Sequence, residues 1–114
     1  MDEVVRKIAA LGLPGVILLV AMATTGLTGA AAITAALAAL GPGGMLGGIA
    51  FLGVIGLVSE ALTKYGFASV LSGVYLERLQ KGDDAQQLIE EIRNLWISED
   101  LKRELIAAIE TESN

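Results

Sequence analysis

The chain has 114 residues, with 8 Lys and Arg against 13 Asp and Glu, a formal net charge of −5, and neither His nor Cys. Those absences remove thiol nucleophiles, His-based triads, zinc fingers and disulfide frameworks. An acidic chain with no basic stripe is also a poor fit to nucleic acid, where affinity comes mainly from neutralising phosphates.

Hydrophobic residues make up 54% of the chain and aromatics only 4%. The charges are segregated: none occurs between Lys7 and Glu60, a run of 52 positions, whereas 11 acidic and 6 basic residues follow from Glu60 onward. A soluble domain of this size buries about 65% of its surface and its helices still show water a polar face. The expectation is therefore an all-α membrane protein with a Gly/Ala-rich transmembrane hairpin and C-terminal amphipathic helices. It divides into an N-terminal amphipathic segment (1–12), an apolar hairpin (13–65) and an acidic helical tail (66–114). The alternative is a soluble helical oligomer that hides its apolar half.

In chain order, residues 2–11 read as a short amphipathic helix. Asp2 and Glu3 stand at its positive end, and Val4, Val5, Ile8 and Leu11 recur at helical spacing. Gly12 interrupts, and Pro14 suits the first turn of a new helix. Residues 13–40 form the first apolar block, strongly lipophilic through Ala23, weaker around Thr24–Gly29 and alanine-rich to Leu40. As one helix it would be about 42 Å long, beyond the ~30 Å hydrocarbon core. It therefore tilts, or breaks near Gly26–Gly29, where threonines can re-bond freed backbone groups. Leu11–Val20 before Ala21-Met22-Ala23 has the outline of a cleavable leader. The preceding residues carry no net positive charge and the apolar run continues, so the segment is expected to be retained.

Gly41-Pro42-Gly43-Gly44 is an uncharged turn. It lacks the Lys-Ser/Thr of a phosphate-binding loop. The second apolar block, 45–65, ends on Lys64 and Tyr65, which with Arg6 and Lys7 are the expected interface anchors. Glu60 lies four residues before Lys64 and reads as part of a solvated helix end. By the positive-inside bias both termini are cytoplasmic and the 41–44 turn lies outside.

After Gly66, residues 67–81 carry Phe67, Val70, Leu71, Val74, Tyr75 and Leu79 on adjoining faces. Asp83 or Asp84 caps a helix over 84–95 that buries Leu88, Ile89, Ile92 and Leu95. Ser98 caps the last helix, with Leu101, Leu105, Ile106 and Ile109 as its stripe. Trp96 is expected to pack the last two helices together, with a membrane-surface anchor as the alternative. The pairs Asp83–Asp84, Glu90–Glu91 and Glu99–Asp100 read as helix starts or solvated faces.

Glycine is the densest motif. Seven residues between 41 and 56 are Gly, and Gly43 with Gly47, and Gly44 with Gly48, make two overlapping G-x-x-x-G patterns. In lipid, small residues let helix backbones approach closely, so these four glycines are expected to form a packing or oligomerisation seam. Ala31, Ala35 and Ala39 offer an opposing small face.

Gly26-Leu-Thr-Gly-Ala-Ala-Ala-Ile, with Gly43-Gly-Met-Leu-Gly-Gly-Ile-Ala and Leu52-Gly53, resembles the small glycine-rich interferon-alpha-inducible membrane proteins over about 30 residues. The acidic tail after Gly66 has no counterpart there. The resemblance implies an organelle-membrane protein linked to cell death and identifies no site. Two functions follow as expectations. One is a self-associating protein that permeabilises or remodels a bilayer, as a holin or cell-death effector does. The other is a membrane-anchored adaptor whose tail, 67–110, binds a protein partner.

Overall fold

The computed structural model describes residues 2–25 and 56–113, and all regular structure among them is α-helical. The helices are α1 (Asp2–Leu11), α2 (Leu13–Thr25), α3 (56–65), α4 (Phe67–Gln80), α5 (Ala85–Arg93) and α6 (Glu99–Ser113). The 41–44 turn, the glycines of the seam and the alanine face lie outside the described residues.

α1 and α2 form a sharp corner. Gly12 takes φ +69°, the left-handed region that closes a helix, and its amide bonds the Ala9 carbonyl at 3.0 Å. Pro14 follows in the first turn of α2, where no amide is needed. The chain direction changes by 118° across this break.

α4 is the hub of the packing, in contact with α1, α2, α5 and α6. Its Val70, Leu71, Val74 and Tyr75 are buried, with Phe67 and Leu79 half-buried beside them. It ends in a Schellman motif. The Asp83 amide donates to the Arg78 carbonyl at 3.1 Å, the Gly82 amide donates to Leu79 at 3.1 Å, and Gly82 adopts φ +106°. The turn reverses the chain so that α5 lies beside α4.

The tail caps form where the sequence places them. Asp84 Oδ2 accepts from the Gln87 amide at 3.1 Å, and Ser98 Oγ accepts from Leu101 at 3.2 Å. The α5 stripe (Leu88, Ile89, Ile92) and Leu95 are buried, as are Leu105 and Ile109 of α6. Two details differ from expectation. α5 stops at Arg93 rather than residue 95, because Asn94 Nδ2 donates to the Glu90 carbonyl at 3.0 Å and the chain turns there. Lys102 Nζ, from α6, reaches the Arg93 carbonyl at 2.9 Å and closes that helix end. Trp96 consequently falls in the connection and is 55% exposed. The neighbouring Leu95 is buried instead.

The N-terminal segment is not separate from the tail. Val4, Val5, Ile8 and Ala9 are buried, and α1 lies along α4. No single described helix is long and apolar enough to cross a membrane, although Glu3–Leu11 and Leu13–Thr24 meet that test taken together.

Candidate functional site: the apolar corner and the tail network

Among the expected interface anchors, Arg6 and Lys7 occupy the exposed face of α1, with Lys7 Nζ 3.4 Å from Glu3 Oε1 one turn earlier. Lys64 and Tyr65 are exposed at the end of α3, and the Lys64 ammonium lies 5.4 Å from the Tyr65 ring centroid. Glu60 is exposed, as a solvated helix end requires. Gly66, at φ +88° and ψ 156°, separates α3 from α4. Only glycine adopts that backbone conformation without strain.

α2 is apolar on every side, in LPGVILLVAMATT. Such a helix belongs either inside a protein or inside a bilayer. Here Val16, Leu18, Leu19 and Val20 have no exposure. Thr24 turns its hydroxyl back onto the Val20 carbonyl at 2.9 Å, which satisfies its donor without water.

The tail holds a polar network that the sequence pattern does not announce. Tyr75 Oη donates to Glu91 Oε2 at 2.5 Å, Arg78 Nη2 donates to Glu91 Oε1 at 3.1 Å, and Arg78 Nη1 also bonds Glu91 Oε2. Arg78 Nε reaches Asp83 Oδ2 at 3.1 Å. The Arg78 guanidinium also faces the Tyr75 ring at 5.5 Å from its centroid. The Arg78 and Glu91 side chains are only 11% and 15% exposed, so Glu91 is not the solvated carboxylate expected from the Glu90–Glu91 pair. The signal that marks it is positional. At 91 it stands three residues after Leu88 and beside Ile92, on the flank of the buried stripe, whereas Glu90 points to water.

Burial pushes the Tyr75 hydroxyl well above the usual phenol range, and the Glu91 hydrogen bond and charge push it the same way against Arg78. Burial alone would lower the Arg78 guanidinium; the hydrogen bond and charge of Glu91 outweigh it, so the net shift is upward. Tyr75 is thus a fixed neutral donor and Arg78 a fixed cation. The arrangement cross-links α4 to α5. It offers no nucleophile with an adjacent base, and among the described residues no group of three Asp or Glu is placed to hold a metal.

The chain matches no protein-family model, no curated protein and no solved structure.

Proposed function

We propose that this chain is a small self-associating membrane protein whose apolar segment, 13–65, enters a bilayer as a helical hairpin and permeabilises or remodels it. The observation that carries the reading is the run of 52 uncharged residues between Lys7 and Glu60. Each charge placed at a helix centre in lipid costs about 2.5–3.5 kcal/mol on insertion scales, and this run carries none. The all-round apolar character of α2 and the back-bonded Thr24 support the same reading. So does the local resemblance to the interferon-alpha-inducible membrane proteins. Arg6 and Lys7 before the segment and Lys64 after it favour cytoplasmic ends.

Self-association rests on Gly43, Gly44, Gly47 and Gly48 against Ala31, Ala35 and Ala39. The test is membrane fractionation, sizing in detergent and depolarisation of expressing cells, with Gly48→Leu alongside the parent chain. Gly48→Leu should still fractionate with membranes, since Leu suits lipid better than Gly. It should run smaller and lose depolarisation, because a seam contact worth about 1–2 kcal/mol shifts association roughly tenfold. Purification of the parent without detergent as a defined species that neither binds vesicles nor depolarises cells would sink the membrane reading in favour of a soluble oligomer.

A second reading is favoured by Trp96, a large side chain left 55% exposed between α5 and α6. In it the hairpin only anchors the chain and the tail binds a protein partner. Membrane residence without depolarisation would select it.

A further inference from the structure

α1 is docked on α4 through its apolar face, with Val4, Val5, Ile8 and Ala9 buried and Glu3, Arg6 and Lys7 outward. The contact is closest at Gly73, where a Cβ would stand 3.1 Å from Val5 Cγ2 and 4.0 Å from Val5 Cβ. Glycine inside a helix costs about 1 kcal/mol relative to Ala; here it lets α1 settle onto α4.

The α1–α2 corner is equally close. A Cβ on Gly15 would stand 2.4 Å from the Ile8 carbonyl oxygen and 2.9 Å from Leu11 Cβ. The Ile8 carbonyl of α1 lies against the Gly15 backbone of α2, leaving no room for a side chain at the corner. α2 also packs on α4, with Val16, Leu18, Leu19, Val20 and Met22 buried and Leu13, at the corner, 41% exposed. α1 and α4 both pack on α2, so lifting α1 from α4 opens part of that cover.

We propose that the Asp2–Leu11 helix is an autoinhibitory clasp: docked at Gly73 it retains the apolar α2 inside the fold, and its release delivers the α1–α2 corner to a bilayer. The inference rests on the membrane reading above. The apolar face that α1 withdraws from α4 is the face an interfacial helix buries among lipid headgroups, while Glu3, Arg6 and Lys7 stay in water. The bilayer itself supplies the differential affinity that opens the clasp. Its lipid can be uncharged, since the chain carries a net charge of −5 and gains nothing from an anionic surface.

The chain has no cysteine, so one engineered pair reports without ambiguity. The 4.0 Å separation of the two β-carbons at positions 5 and 73 falls within the ~3.5–4.5 Å that a disulfide spans. Full-length Val5→Cys/Gly73→Cys is presented, oxidised and reduced, to phosphatidylcholine vesicles loaded with a self-quenched dye. At about 90% cross-linking, one tenth of the molecules stay competent. Dye release should then fall at least about tenfold, since an oligomer loses more than in proportion to its competent molecules, and recover on reduction to the parental rate or above. Gly73→Leu, which crowds Val5 and lifts α1, should release dye faster than the parent.

Equal release from oxidised and reduced protein, failure of the disulfide to form, or unchanged release from Gly73→Leu overturns the clasp and leaves the membrane reading standing. If neither the parent nor the reduced protein binds the vesicles, the membrane reading fails and the clasp fails with it.

Discussion

Glu91→Ala removes the carboxylate on which Tyr75 and Arg78 converge, and the structure sets the size of the loss. Exposed ion pairs contribute about 0–1 kcal/mol, but Arg78 and Glu91 are 11% and 15% exposed. Stranding one partner of a fully buried pair costs about 3–5 kcal/mol. Two features bring the figure down. Asp83 still accepts from Arg78 Nε, and Asp83 is 47% exposed, so water reaches that side of the guanidinium. The orphaned Tyr75 hydroxyl adds back about 1 kcal/mol. The expected loss is about 2–3 kcal/mol, read as a lower urea midpoint at unchanged slope for the full chain in mild detergent, followed by helical circular dichroism. Tyr75→Phe/Arg78→Met/Glu91→Leu removes every member of the network and should recover to within about 1 kcal/mol of the parent, because the penalty lies in the stranded groups. A loss below about 0.5 kcal/mol for Glu91→Ala would make the carboxylate an ordinary surface charge. A triple variant less stable than Glu91→Ala would refute the stranding argument itself.

Two further outcomes follow from the tail. Tyr75 holds its proton in the folded state more tightly than the unfolded phenol, whose value is 10.0. Its contribution is therefore complete below pH 10 and declines above it by about 1.4 kcal/mol per pH unit. Between pH 9 and pH 11 the parent should therefore lose about 1.4 kcal/mol, read from urea midpoints, that Tyr75→Phe does not lose; equal losses would count against the burial of this hydroxyl. Gly82→Ala forces a Cβ into φ +106° at the Schellman turn and should cost more than about 1 kcal/mol. Gly56→Ala, with nothing within 4 Å of the added carbon, should cost nothing in the same assay.

The parts of the tail that follow local rules are legible in the sequence. Asp84 and Ser98 cap because a short side-chain acceptor meets an amide three residues on, and the buried stripes of α5 and α6 follow from 3.6-residue periodicity. What depends on two segments meeting is not legible there. Glu91 and Arg78 are thirteen residues apart and come together only because Gly82 reverses the chain, so adjacent glutamates read as two solvated charges. A packing role for Trp96 requires α5 to reach residue 95; the Asn94 side chain ends the helix earlier and turns the indole outward. The amphipathic pattern of residues 2–11 is plain, but Val4, Val5 and Ile8 suit lipid and α4 equally well. The clue to the real contact lies in Gly73, a glycine inside an otherwise good helix. A helix keeps such a residue at a cost when a neighbouring side chain, here that of Val5, fills the space a Cβ would take.

On the membrane reading proposed above, the docking of α1 on α4 also bears on how many times the apolar segment crosses a bilayer. α2 has thirteen residues, about 20 Å at 1.5 Å per residue, against a ~30 Å hydrocarbon core. A crossing that begins at Leu13 must therefore draw on residues after Thr25. An odd number of crossings would part α1 from α4 by the thickness of the membrane, so that Val5 could never return to Gly73. It would also set Arg6 and Lys7 on the opposite side from Lys64, against the positive-inside bias. An even number returns both flanks to one face. The charge rule and the steric fit at Gly73 are independent: one depends on ammonium and guanidinium groups at the segment ends, the other on a missing Cβ inside α4. On the membrane reading proposed above, both are met when the two flanks of the uncharged run share one side of the bilayer, and only that topology leaves the clasp reversible.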